Sequence, residues 1–157
     1  MARTIILGYD GSECAKAALD AAVDVARDRP GSRIVVVHGH HVRHYWLHAN
    51  FTGIKRPVQD DLEGLKRHAT ADLQPLLDEA CARSTATCVS AEATLEWESA
   101  SAALIDVAKR EEADRIVVGA HGEDAVGHSL GRALLGSTSA KLLHYSSVPV
   151  LVVPLAD

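Results

Sequence analysis

Thr4-Ile5-Ile6-Leu7-Gly8-Tyr9-Asp10-Gly11-Ser12 is the stretch that decides the fold. Its first half is a short, near-continuous apolar run, the pattern of a strand covered on both faces. Its second half is a glycine-containing turn that ends on Ser12, a good N-cap residue. Behind Ser12, Ala15, Ala18, Leu19, Ala22 and Ala26 recur at three- and four-residue spacing, which predicts an amphipathic helix. A buried strand that turns directly into a helix is half of a βαβ unit, and the rest of the chain continues the alternation.

Four more apolar runs follow: Arg33–His38, Thr87–Ala93, Arg115–Gly119 and Val148–Val153. Thr87–Ala93 alternates apolar with polar, so it is expected near a sheet edge. Pro149 near the start of the last run also predicts an edge, where a missing N–H donor is tolerated. Between the runs lie helical stripes: Leu62, Leu65, Ala69, Leu73, Leu76, Leu77 and Ala80; then Ala100, Ala103, Leu104, Val107 and Ala108; then Ala140, Leu142 and Leu143. Pro75 is expected to kink or divide the first of these. The order β-α-β-α-β-α-β-α-β predicts an α/β fold, a doubly wound open parallel five-stranded sheet with right-handed crossovers. A closed eight-fold barrel needs about 250 residues. With no internal repeat and no linker, residues 1–157 read as a single domain, and the one long irregular stretch runs from about His40 to Pro57.

Composition narrows the function. The chain of 157 residues is 47% hydrophobic and 24% charged, the balance of a globular protein. Sixteen basic against twenty-one acidic residues leave a net charge of −5, which argues against coating nucleic acid, as does an aromatic content of 4%. No apolar run reaches the roughly 20 residues that cross a bilayer. Met1-Ala2-Arg3-Thr4 leads straight into the first strand without an export signal, so a cytoplasmic location is the expectation. Cys14, Cys81 and Cys88 are too few and too scattered for a disulfide framework or a zinc site.

In an open sheet of this kind, ligands bind at the carboxyl ends of the strands. Three loops are therefore of interest, after Tyr9, after His38 and after Gly119. The last contains Gly127-His128-Ser129-Leu130-Gly131, which spells the nucleophile elbow of α/β-hydrolases. That chemistry needs its serine directly at the strand-to-helix turn, followed by an acid and then a histidine. Here the strand ends about ten residues too early, and beyond Ser129 the acid, Asp157, comes after His144. Gly131 to Thr138 resembles a P-loop with serine in place of its lysine, so the contact to the outer phosphates is lost. A G-x-G-x-x-G dinucleotide fingerprint is absent. Gly136-Ser137-Thr138 needs no catalytic side chain to work: it opens a helix whose first N–H groups and dipole favour an anion, with hydroxyls as further donors. The alternative is plain loop glycines and a helix cap.

Taken together, these segments resemble the universal stress protein family. The similarity rests on Ile6-Leu7-Gly8-Tyr9-Asp10-Gly11-Ser12 before an alanine-rich helix, Val36-Val37-His38, Ile116-Val117-Val118-Gly119-Ala120-His121-Gly122, Leu134-Leu135-Gly136-Ser137 and Val148-Pro149-Val150-Leu151-Val152-Val153. It spans essentially the whole chain and is weakest around residues 40–60. The ATP-binding branch of that family carries G-x-x-G, nine residues, then G-[ST]. Here thirteen residues separate Gly122 from Gly136, so the loop is four residues longer. The resemblance implies a Rossmann-like sheet of order 3-2-1-4-5, related to the adenine-nucleotide alpha hydrolases. It implies ATP, with Mg²⁺ or Mn²⁺ on its phosphates, held by Gly8, Asp10, Gly39, Gly119, Gly122, Gly136, Ser137, Thr138 and Ser139. Asp10 would lie on the adenine or ribose side, Gly119 and Gly122 under ribose and phosphates, and Gly136 to Ser139 on the phosphates. Gly39 stands where the family usually has an apolar branched residue, and Gly8 where some members have proline. The resemblance further implies a homodimer through the last strand, Pro149 to Pro154, whose apolar edge calls for a partner on physical grounds as well.

Other side chains have more than one reading. His40, His44 and His48 are spaced to share a helical face and hold a transition metal. No carboxylate or cysteine accompanies them, and Tyr45-Trp46 fits a loop that packs on a partner, with a pH-sensitive contact as one use. Cys14, in the first turn of the first helix, reads as a small buried residue beside the binding loop. Asp10 can serve a ligand or accept from backbone N–H groups ahead of the helix. Asp60-Asp61 and Glu111-Glu112 read as solvated pairs at helix ends. The resulting expectation is a small homodimeric stress-response protein that binds ATP and acts through an unknown protein partner, with no nucleic acid and no membrane. No residue stands out as a base for water, so any ATPase activity is expected to be slow. The alternatives are a nucleotide-free dimerisation and partner-binding module, and a hydrolase that uses Ser129 with His121, His128 or His144.

Overall fold

The computed structural model describes residues 2–40, 59–87, 89–122 and 135–155. Among these residues five strands, β1 (Thr4–Gly8), β2 (Arg33–Gly39), β3 (Ser90–Glu96), β4 (Arg115–Gly119) and β5 (Val150–Val153), alternate with four helices. The helices are α1 (Glu13–Arg27), α2 (Gln59–Thr85), α3 (Ala100–Arg110) and α4 (Ser137–Tyr145). All strand pairs are parallel, and the sheet order is β3-β2-β1-β4-β5. The two strands read from sequence as edges are the two edges.

Two apolar layers cover the sheet. On one face Ile5, Leu7, Ile34 and Val36 meet Ala15, Ala18, Leu19 and Ala22 of α1 and Leu77 and Ala80 of α2. On the other, Ile6, Val35, Val37, Ile116 and Val118 meet Ala103, Leu104 and Val107 of α3 and Leu142 of α4. Consecutive residues of β1 and β2 thus point into opposite cores, which is why their runs are continuously apolar rather than alternating. Each fully buried Ile or Leu contributes about 2 kcal/mol.

Local chemistry sets the element ends. Ser12 caps α1 by accepting from the Ala15 N–H at 3.2 Å, and Ser99 caps α3 by accepting from the Ala102 N–H at 3.4 Å. Between β1 and α1, Gly11 holds a φ of +81°, a conformation that disfavours any side chain.

Three expectations need correction. Pro75 does not divide its helix, because α2 runs through it as one element of 27 residues. The lost N–H bond is outweighed by burial on both sides of the proline, at Ala69 and at Leu77 and Ala80. The third strand begins at Ser90, three residues later than its apolar run, and extends to Glu96. Val89 is buried in the turn after α2, where its N–H and that of Thr87 reach the Ser84 carbonyl, so its hydrophobicity serves packing rather than the ladder. Glu111 is not merely solvated: it bonds Arg33 at 2.8 Å and Arg110 at 3.4 Å, and the Arg33 bond is the main reason its carboxyl lies below the usual range. Cys88 lies outside the described residues, as do the side chains of Asp60 and Asp61.

Candidate functional site

A cleft of about 970 Å³ opens over the carboxyl ends of β1, β2 and β4. Parallel strands end there together, and the helices that follow them begin there, so backbone N–H groups converge on one concave surface. All nine positions singled out from sequence (Gly8, Asp10, Gly39, Gly119, Gly122, Gly136, Ser137, Thr138 and Ser139) line it. Residues from the two ends of the chain are thus brought together by strand order alone.

The glycines do different jobs. A Cβ on Gly119 would sit 2.6 Å from the Cβ of Cys14 and 2.8 Å from its carbonyl carbon, so glycine lets the first turn of α1 lie against the end of β4. Cys14 is accordingly the small buried residue expected beside the loop. A Cβ on Gly39 would sit 2.5 Å from the Cα of Ala100. The start of α3 therefore occupies the space an apolar side chain would need, and Ser99 and Ser101 join the lining instead. At Gly8 the limiting atoms belong to Val118 and Leu104, so that glycine answers to the core under the cleft floor. At Gly122 the limiting atom is Oδ2 of Asp10, 2.8 Å from where a Cβ would lie.

Oδ1 of Asp10 accepts from the Ser12 N–H at 3.0 Å and orders the turn into α1, and Oδ2 lies beside Gly122. Beside it, Nδ1 of His38 is 2.8 Å from the Tyr9 carbonyl oxygen. A carbonyl only accepts, so Nδ1 is the donor in this bond. His40 stacks at 6.1 Å from His38 and meets the edge of Trp97 at 5.7 Å. Tyr9 contributes backbone to the cleft and its ring to the core, where burial, then the charge of Glu79, pushes its phenol upward.

Three helices begin at the cleft, and they are not alike. The starts of α1 and α3 are satisfied by their own serines. The N-cap of α4 is Gly136, which has no side chain to offer. The first intrahelical bond of α4 runs from the Ala140 N–H to the Gly136 carbonyl, so the N–H groups of Ser137, Thr138 and Ser139 precede the helical ladder. The helix is fixed instead from the side. The Ala120 carbonyl accepts both the Gly136 N–H at 2.8 Å and the Ser139 hydroxyl at 3.1 Å. That hydroxyl also lies 2.9 Å from the Gly136 carbonyl and is buried, which assigns it to positioning rather than to a ligand. An uncapped N-terminus, held rigid and carrying the positive end of the helix dipole, is suited to receive an anion.

The family model for the universal stress proteins matches residues 1–154. The chain belongs to that family. A universal stress protein from Mycolicibacterium smegmatis (strain ATCC 700084 / mc(2)155) is 41% identical over 87 residues. That match covers 55% of this chain and 27% of the relative, so it spans about a quarter of the relative's length. Among solved structures, hypothetical protein MJ0577 aligns with a TM-score of 0.80 at 20% identity, covering 100% of this chain and 99% of that one. A universal stress protein in complex with cAMP aligns with a TM-score of 0.66 at 22% identity over 98% and 97%. One from Archaeoglobus fulgidus in complex with dAMP gives 0.60 at 18% over 98% of each chain. At these identities the structural likeness is one of fold, and it agrees with the sheet order described above.

Sequence reasoning missed Ser99, Ser101 and Lys141, which also line the cleft. The serines belong to a different part of the chain, and nothing in their spacing points to the loop after β4. Lys141 was legible in principle, because it stands one helical turn beyond Ser137. The elbow serine Ser129, together with Gly127, His128 and Gly131, lies outside the described residues, as do His44 and His48. Among the described residues no group of three or more His, Cys, Asp or Glu side chains is placed to hold a metal ion, and no helix is long and apolar enough to cross a membrane.

Proposed function

We propose that this universal stress protein binds an adenine nucleotide, ATP with Mg²⁺ or Mn²⁺, in the cleft and works in the cytoplasm as a homodimeric regulatory module of a stress response. The observation that carries the reading is the uncapped start of α4 in a cleft that Asp10, Gly122, His38 and His40 also line. Phosphates fit the N–H groups of Ser137, Thr138 and Ser139, and ribose and base fit the end toward Asp10 and β2. The complexes of family members with cAMP and dAMP support an adenine nucleotide as the ligand class. Asp10 is the described carboxylate that lines the cleft, so the divalent cation is assigned to the phosphates rather than to a protein cage. The role is binding, with ATP turnover slow at most.

Support for the dimer comes from the β5 edge. Leu143 and Tyr145 at the end of α4 are 53% and 73% exposed, and Leu151 on β5 and Leu155 beyond it are exposed too. An apolar edge of this kind is expected to pair with a second copy, burying both.

The test is a calorimetric titration of nucleotide-stripped protein with ATP and Mg²⁺, repeated on Asp10→Ala and Gly122→Ala. Micromolar binding that weakens about tenfold or more in both variants, about 1.4 kcal/mol, is the expected result. No binding by the wild type, together with no nucleotide released from denatured as-purified protein, overturns it in favour of a nucleotide-free partner-binding module.

A further inference from the structure

Six Lys or Arg side chains of the described residues are neutralised by carboxylates: Lys16, Arg27, Arg33, Lys66, Arg83 and Arg110. Lys141 is not among them, although it is the Lys or Arg that lines the cleft among the described residues. It lies on α4, four residues after Ser137 and three after Thr138, so its side chain rises from the same helical face as theirs. An ammonium that has no carboxylate partner among the described residues, and that lines the same cleft as the positive end of a helix dipole, is an arrangement that an anion between the two relieves. The first turn of α4 contains no acidic residue to relieve it. A single phosphate seated on the helix terminus satisfies the N–H groups, while a longer phosphate chain has further charge to place and reaches outward along the same face.

We propose that Lys141 is the specificity-determining residue for phosphate number: its ammonium takes the outer phosphates of a nucleoside polyphosphate, so the cleft prefers tri- over monophosphate. This rests on the adenine-nucleotide reading for the base end and adds an independent assignment at the anion end. Lys141 is exposed, so replacing it leaves the cores intact.

The experiment titrates nucleotide-stripped wild type, Lys141→Ala and Lys141→Arg with ATP, AMP and inorganic tripolyphosphate at one ionic strength. Lys141→Ala is expected to weaken ATP and tripolyphosphate roughly tenfold or more and to leave AMP within about twofold, with Lys141→Arg retaining most of the affinity. Equal losses for ATP and AMP, or no loss for either, overturn the assignment. Wild type that binds tripolyphosphate through Lys141 but no adenine nucleotide keeps it and overturns the reading of the base end. Wild type that binds none of the three overturns both.

Discussion

The starts of α1 and α4 lie at the same end of the sheet, beside the same cleft, and are built in opposite ways. Helix α1 has Ser12 as its cap, Glu13 in its first turn and seven buried residues along its length. Helix α4 has Gly136, no acidic residue in its first turn and two buried residues, Ser139 and Leu142. The first terminus is closed by its own side chains. The second is left electrically open, and its position is secured instead by the two bonds that converge on the Ala120 carbonyl. The contrast separates two jobs within one motif: one helix start is closed by its own side chains for folding, and the other is left able to receive the anion that the proposed function places there.

The largest effect should come from disturbing the closed side. Gly119→Ala pushes a methyl group into the backbone of Cys14 and is expected to cost about 3 kcal/mol, lowering Tm by roughly 6–12 °C. Gly64→Ala is the matched control, because a Cβ there meets nothing within 4 Å and α2 gains a better helix former. Thermal unfolding of the two variants, moving in opposite directions, checks that Gly119 is glycine for packing and not for lack of selection.

A sharper test exchanges the caps. Ser12→Ala removes the bond to the Ala15 N–H and is expected to cost about 1 kcal/mol while leaving nucleotide affinity within about threefold. Gly136→Ser gives α4 a cap that competes with an anion for the same N–H groups. Its stability should change by only a few tenths of a kcal/mol, with nucleotide binding weakened about tenfold. Denaturant melts and titrations of the pair would break the comparison if both variants lost stability and affinity alike.

The smallest effect concerns a region away from the cleft, where Arg33 and Arg110 hold Glu111. Because the folded state lowers the Glu111 pKa, its contribution is present above the ordinary carboxylate value of 4.5 and is lost as pH falls through the folded value. Glu111→Gln should therefore be less stable than wild type near neutral pH, with the Tm difference closing as the solution is made acidic and as salt is added. Nucleotide affinity at neutral pH should be untouched.

The legibility of these regions differed for physical reasons. Residues whose role is set by neighbours in the chain read correctly. Ser12 caps the helix that follows it, and Ala15, Ala18, Leu19, Ala22 and Ala26 all turn into one core. Residues whose role depends on a distant partner needed the structure. Gly39 looks like a missing ligand contact until Ala100, sixty-one positions away, is seen against it. Ser139 looks like a phosphate donor until its hydroxyl is found between two carbonyls. Pro75 looks like a break until α2 is found buried on both sides of it, at Ala69 and at Leu77 and Ala80.

By itself, the sequence determined that strands and helices alternate, which strands are covered on both faces, which lie at the edges, and where a glycine-rich turn opens a helix. These follow from periodicity and from short-range capping, which act over a few residues and are written locally. The tertiary structure alone decided which distant segments meet over the cleft, which of three helix starts remains uncapped there, and that no carboxylate among the described residues pairs with Lys141. Those are matters of crossover and strand order, where residues a hundred positions apart share one surface and no local pattern records the encounter.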